Sequence, residues 1–158
     1  MCANLFDAML FSIGYAALTP AQLVATMDTL SIRQIVDTRS VPRSRRPGFN
    51  QSQLKALLGD QYVYAGDKLG GRGTGPSAAG LDWIADFSKY HPGESLCLLC
   101  LEEAPGDCHR YHRIAVPLLD KTVDVVHIYQ DQLVLTSDLK AAIDANTPED
   151  YRFQLWEH

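Results

Sequence analysis

The chain has 158 residues, 46% apolar and 21% charged, with a formal charge of −5 and a pI near 5.4. That length suits a single domain spanning residues 1–158 with a core that needs no disulfides. The acidic balance argues against nucleic-acid binding over the whole surface, though a local basic patch is compatible with it. No apolar run approaches the ~18 residues of a membrane span, and no basic stretch followed by an apolar one marks a secretory leader. The four cysteines are therefore expected as reduced thiols in a cytoplasmic protein that does not meet a membrane. Oligomeric state is not legible.

Residues 1–8 carry no pattern and read as a loose arm. Residues 9–15 read as a first strand ending at Gly14. Thr19 followed by Pro20 is a helix start, a hydroxyl at the N-cap and proline at N1, and the helix runs to Leu30. Residues 32–38 supply a second strand that delivers Asp37 and Arg39 at its end. Residues 40–50 form a loop rich in proline and arginine. Asn50 caps a short helix over residues 51–58 that Gly59 ends. A third strand covers residues 61–65, a glycine-rich segment residues 66–80, and a helix residues 81–90.

The stretch from Ser95 to Lys121 organises the rest. Residues 96–101 have strand length and composition. Pro105, Gly106 and Asp107 make a turn, and a helical period begins at Cys108 with Asp107 as its N-cap. Pro117 is expected to kink that helix. A fifth strand covers residues 123–129 and a short edge piece residues 131–135. Thr136 or Ser137 caps a last helix to Ala145. The tail, residues 146–158, is apolar enough to dock.

Strands alternate with helices throughout. The pattern predicts an α/β fold of three layers, a mostly parallel sheet of about five strands with helices on both faces. In such sheets ligands bind beyond the carboxyl ends of the strands. Gly14 and Tyr15, Asp37 and Arg39, Cys100 and Glu102, and His127 are all expected at that edge. Cys97 and Cys100 form a C-x-x-C inside a strand, where alternation points them to opposite faces, so they make a poor redox motif.

Several segments together resemble the family of domain of unknown function 488: S-I-G-Y (Ser12 to Tyr15), D-T-R (Asp37 to Arg39), P-R-S-R (Pro42 to Arg45), P-G-F-N (Pro47 to Asn50), L-G-G (Leu69 to Gly71), C-L-E-E-A-P-G-D-C-H-R (Cys100 to Arg110) and His127 in V-H-I. The resemblance extends from Leu10 to about Tyr129. It implies a small cytoplasmic α/β protein and brings no settled activity, so each candidate is argued from its chemistry.

Cys108, His109 and Arg110 stand at a strand–loop–helix junction, where a helix start and basic neighbours favour a thiolate. Cys108 is the candidate nucleophile, with His109 or His112 as proton carrier; the alternative is a small packing residue. Four residues, not five, separate Cys108 from Arg113, so this is not a phosphatase loop. Glu102 is either an acid/base or the ion-pair partner of Arg39 or Arg110. Cys100, Cys108, His109 or His112, and His127 make an alternative zinc or iron site. Arg39, Arg45 and Arg110 are candidate anion clamps because the planar guanidinium bonds phosphate bidentately. Asp37 either meets a ribose or positions Arg39. Asn50 and Tyr15 are candidate ligand contacts, Tyr15 as a stacking surface or a core residue. Gly70 and Gly71 belong to a glycine-rich run that lacks the Walker and dinucleotide spacings and reads as a lid or a phosphate cradle.

The resulting expectation is an enzyme acting on a phosphate-bearing or nucleotide-like substrate through Cys108, a cysteine-dependent hydrolase or transferase that needs no cofactor. The alternatives are a non-catalytic nucleotide or nucleic-acid binding module, and a Cys/His metal protein built on Cys100, Cys108, His109 and His127.

Overall fold

The computed structural model describes residues 9–73, 75–90 and 93–145. The expected arm and the docking tail lie outside the described residues. Five parallel strands, β1 (Leu10–Gly14), β2 (Ile32–Asp37), β3 (Tyr62–Tyr64), β4 (Ser95–Cys100) and β5 (Val126–Tyr129), are joined by β6 (Gln132–Leu135), which turns back antiparallel on β5. The sheet order is β3-β2-β4-β1-β5-β6. It is mostly parallel, as the sequence predicts, with six strands rather than about five. The sixth is the edge piece.

Alternation along the strands separates two apolar layers. Phe11, Ile13, Ile35, Cys97, Leu99, Val126 and Ile128 pack against α1 (Pro20–Leu30) and α2 (Gln51–Leu58) through Leu23, Met27, Leu54 and Leu58. Leu10, Val36, Leu96, Leu98 and Val125 face the other way, where a helical turn α3 (Gly66–Leu69), α4 (Ala78–Tyr90) and α5 (Val116–Leu119) cover them with Leu69, Ile84 and Leu118. β4 is buried at every position, as a central parallel strand with both faces covered must be. Cys97 lies in the α1/α2 layer, on the face away from Leu98, so Cys97 and Cys100 are not a redox pair. Among the described residues no helix is long and apolar enough to cross a membrane.

Local chemistry explains most element ends. Thr19 Oγ1 accepts from the Gln22 amide and Gln22 Oε1 from the Thr19 amide, a reciprocal cap, with Pro20 at N1. Elsewhere the boundaries move. β3 is shorter than expected because Gln61 closes a 3-10 turn. β4 stops at Cys100, leaving Leu101 exposed. β5 begins only at Val126. α4 starts at Ala78, inside the glycine-rich segment, where Gly80 packs against the Lys68 carbonyl.

Two capping assignments are corrected. α6 (Thr136–Ala145) is capped by neither Thr136 nor Ser137; Thr136 donates its hydroxyl to the Val125 carbonyl, and the Asp124 carboxylate accepts from the Ser137 amide at 3.1 Å. Asp107 does not cap the helix after β4. Pro105–Asp107 form their own 3-10 turn, and Cys108 is extended with its carbonyl accepting from the Tyr111 and His112 amides. Cys108 is therefore the cap. The helix that follows is wide, a π turn over Arg110–Ala115 that becomes α-helical at Val116. Pro117 cannot donate to the preceding turn, and its ring conflicts with ordinary helical bonding at that place.

Phe49 is fully buried and stacks on Tyr15 with ring centroids 4.6 Å apart. Phe49→Ala is expected to cost about 3–5 kcal/mol, read as a lowered urea midpoint at unchanged slope. A shift worth under ~1 kcal/mol would remove this stack from the account of the core.

Candidate functional site

β1 and β4 are neighbours whose connections leave in opposite directions, β1 toward β2 and β4 toward β5. A crevice opens beyond the carboxyl ends of such a pair. Backbone bonds hold the two ends together: the Tyr15 amide donates to the Cys100 carbonyl at 3.0 Å and the Ala16 amide to Leu101 at 2.9 Å. Beside them lies a cleft of about 390 Å³ whose wall includes Tyr15, Arg39, Arg43, Gly71, Arg72, Cys100, Glu102 and His109. The arginine loop, the glycine-rich segment and the sulfur-bearing stretch thus reach the same rim.

On the cleft's inner side the donor atoms of Cys100, Cys108 and His109 all lie within 4.8 Å of one another. His109 Nδ1 is 3.5 Å from Cys100 Sγ and 3.8 Å from Cys108 Sγ. Its Nε2 faces the Leu69 carbonyl at 3.2 Å, so Nε2 carries a hydrogen and the neutral ring presents a lone pair to the sulfurs. The Cys100 thiol is 3.5 Å from Glu102 Oε2, and Cys108 Sγ accepts from the Arg110 amide at 3.5 Å. Cys100 lines the cleft; Cys108 is 2% exposed, with His109 Nδ1 and the Arg110 amide against its sulfur.

The two thiols are shifted in opposite directions. The Cys108 thiol is pushed down by the Cys100 hydrogen bond, against the effect of burial, with His109 and Arg110 adding to the shift. Cys100 is pushed up by the same bond and by burial. Burial opposes a charge on His109, but Cys108 and the Leu69 carbonyl outweigh it and raise it. Burial, then Cys108, raises Glu102.

Arg110 is fully buried and is not an anion clamp. Its Nε donates to Ser12 Oγ at 3.1 Å, and its terminal nitrogens to the Glu102 carbonyl at 2.5 Å and the Glu103 carbonyl at 3.1 Å. The expected ion pair between Glu102 and an arginine is absent among the described residues, because Arg110 takes the Glu102 backbone. Arg39 is likewise committed. It donates to both Asp37 oxygens at 2.8 and 2.7 Å, to the Phe49 carbonyl at 2.7 Å and to Tyr15 Oη at 3.1 Å. Asp37 therefore positions Arg39, as one of its two readings had it, and also accepts from the Tyr62 hydroxyl.

Other expected contacts are corrected. Tyr15 is 1% exposed and packed on Phe49, a core tyrosine rather than a stacking surface. Asn50 accepts from the Ser44 amide and pairs with Gln53, which makes it a cap rather than a ligand contact. Arg45 is exposed and outside the cleft wall. His112 is exposed and its Nε2 is on the Gly106 carbonyl at 2.6 Å, whereas His109 is the histidine whose ring nitrogen lies against Cys108. His127 lies inside β5, opposite Ser12, not at the strand edge. It cannot join the metal set, because both ring nitrogens are used: Nε2 donates to Thr136 Oγ1 at 2.8 Å and Nδ1 accepts from Ser12 at 2.5 Å.

The glycines have a packing role. A Cβ on Gly71 would stand 2.8 Å from His109 Cγ, and one on Gly70 would meet Ser40 Oγ. Their bareness lets the loop close over the His109 ring. A side chain at Gly14 would overlap the Glu102 carbonyl that Arg110 holds. Arg43 belongs to the arginine-rich loop of the sequence, and Arg72 was not singled out there. Both are exposed on the cleft wall, and both were visible as arginines in proline- or glycine-rich loops with no acid beside them.

Residues 19–92 match the family described as "Domain of unknown function DUF488". The motif resemblance to this family is thereby shown over that span. The DUF488 match contains the arginine side of the cleft, including Arg39, Arg43 and Gly70 to Arg72, while Cys100 to Arg110 lie beyond its end. No curated protein and no solved structure matches the chain.

His127 gives the site's support a pH signature. Burial, then the nearby Arg110 charge, holds its imidazole down to about 3. The unfolded chain takes up this proton near pH 6.5 while the folded chain does not, so stability falls as pH drops from about 6.5 toward 3. The slope is at most ~1.4 kcal/mol per pH unit. His127→Asn is expected to lose that share of the acid sensitivity in urea titrations; an unchanged slope would mean that His127 is charged in the fold.

Proposed function

We propose that the protein is a cytoplasmic enzyme that takes a small phosphate-bearing or nucleotide-like molecule into this cleft, with a thiophilic divalent ion of the zinc class on Cys100, Cys108 and His109 as its reactive centre. The supporting observation is the spacing of the donors. With metal–sulfur bonds of ~2.3 Å and metal–nitrogen bonds of ~2.0–2.1 Å, tetrahedral angles put a sulfur and a nitrogen ligand about 3.5 Å apart. His109 Nδ1 stands 3.5 and 3.8 Å from the two sulfurs.

The surroundings suit such a centre. The Leu69 carbonyl fixes the His109 tautomer that leaves Nδ1 free to ligate. The Arg110 amide and the buried Arg110 charge offset negative sulfur. Three protein ligands leave the fourth position for substrate or water, as catalytic rather than structural zinc sites do. A metal there polarises a substrate oxygen or acidifies water. Glu102, raised by burial beside Cys100, is the proton carrier. Arg43 and Arg72 bind the phosphate.

A second reading rests on the contact between Cys108 and His109. Without a metal the two form a cysteine–histidine pair, and Cys108 attacks the substrate as a nucleophile. Metal content separates the readings. Protein purified without chelator is expected to hold one zinc-class ion per chain, lost in Cys100→Ser, Cys108→Ser and His109→Ala and kept in Cys97→Ser. Metal-free protein whose Cys108 reacts with iodoacetamide equally before and after chelator treatment would transfer the chemistry to the thiolate.

The anion subsite is tested apart from the metal. Arg43→Ala and Arg72→Ala are each expected to weaken binding of a nucleoside monophosphate by roughly tenfold, the scale of one charged hydrogen bond, while Arg45→Ala leaves it unchanged. Titration calorimetry reads the difference, and equal affinities in all three variants would place the phosphate elsewhere.

A further inference from the structure

We infer that Cys100 and Cys108 form a reversible disulfide under peroxide, which makes the cluster an oxidation-sensitive site as well as a binding one. The two sulfurs lie within 4.8 Å of each other, at the two ends of the loop that leaves β4. Cys100 is held in the sheet opposite Gly14, while the chain before Cys108 forms its own 3-10 turn, so closing the gap falls to the Cys108 end and needs no strand pair to break. Cys100 opens onto the cleft, which gives a small oxidant a route. His109 Nδ1 lies against both sulfurs and is placed to move the proton. Cys97, three residues earlier, is fully buried in the opposite layer and is an internal control.

The chemistry balances with hydrogen peroxide as oxidant. Cys108 gives up its proton and attacks one peroxide oxygen as thiolate; the O–O bond breaks to give a sulfenic acid, and the departing hydroxide takes up that proton as water. Cys100 sulfur then attacks that sulfur and gives its proton to His109 Nδ1. The S–O bond breaks, and the departing hydroxide takes the proton as water. Two thiols and one peroxide become one disulfide and two waters; a dithiol reductant reverses the step. A disulfide offers no thiolate to a cation, so oxidation also discharges the metal. That last consequence alone rests on the reading under Proposed function.

The test treats the full chain, with and without prior chelator, with hydrogen peroxide and follows it by mass spectrometry. Glu102, Glu103 and Asp107 lie between the two cysteines, so cleavage at acidic residues separates them. The expected result is a Cys100–Cys108 link that dithiothreitol reverses, that persists in Cys97→Ser and that is lost in Cys100→Ser, where Cys108 proceeds to sulfinic acid. Wild-type Cys108 reaching sulfinic acid while Cys100 stays reduced would overturn the inference, as would a link through Cys97. A chromogenic chelator reads the metal in parallel. A disulfide in protein that never held metal leaves this inference standing and removes the metal reading. Bound metal with no disulfide after chelation does the reverse.

Discussion

A fully buried guanidinium with no carboxylate among its hydrogen-bond partners in the described residues sets the terms for this site. Arg110 is met by the Ser12 hydroxyl and the carbonyls of Glu102 and Glu103. Burying an unpaired charge costs several kcal/mol, so the surroundings must supply partial negative charge in a fixed geometry. The supply runs inward through a chain of hydrogen bonds. Thr136 gives its hydrogen to the Val125 carbonyl and so accepts from His127 Nε2; His127 Nδ1 then accepts from Ser12, whose oxygen is left for Arg110. The chain works only with a neutral His127, and the burial that keeps it neutral is that of a central parallel sheet. At the outer end, Arg110 fixes the carbonyls that precede the turn into Cys108. The site's shape is thus set from beneath, by groups that never face the cleft.

The same charge explains why sulfur is the element at this position. A carboxylate placed where Cys108 stands would pair with Arg110 and become inert. A thiol can remain neutral or ionise, so the buried cation biases it without fixing it. The second thiol, Cys100, is pushed toward its protonated form while Cys108 is pushed toward thiolate, and the imidazole of His109 lies against both. In the two proposals above, ligating a soft cation and joining into a disulfide would draw on the same two sulfurs, so one would exclude the other.

The fold was largely legible because it depends on periodicity. The buried run of β4, the cap at Thr19 and Pro20 and the alternation of strand and helix are local signals, and they gave the mostly parallel sheet. The meeting of Tyr15, Arg39, Cys100 and Glu102 at one edge of the sheet was legible for the same reason. Individual roles were not. Arg39 and Arg110 share a residue type with Arg43 and Arg72, and nothing in the chain order says that the first two face Asp37 and backbone carbonyls while the others face solvent. His109 and His112 are three residues apart on one helix, but the π turn and the Cys108 cap set their directions, and neither has a sequence signature. His127 looked like an edge residue because it stands two positions before the strand's end, but it lies opposite Ser12 and its ring is taken by Ser12 and Thr136.

The division between buried and exposed arginines follows from a general conflict. An arginine that organises a loop must satisfy its donors within the protein, and one that binds phosphate must leave them open. Arg39 spends its donors on Asp37, Phe49 and Tyr15, and this holds the loop of Arg43 against the end of β2. Gly70 and Gly71 do the corresponding work for Arg72, because a backbone without Cβ atoms can lie against Ser40 and the His109 ring. The Arg72 amide donates to the Ser40 hydroxyl, which ties the two loops to each other at 3.1 Å. Arg43 and Arg72 are therefore each carried by a loop whose anchor contacts this wall, so where their backbones stand beside the cleft is set by packing rather than by their own flexible stems.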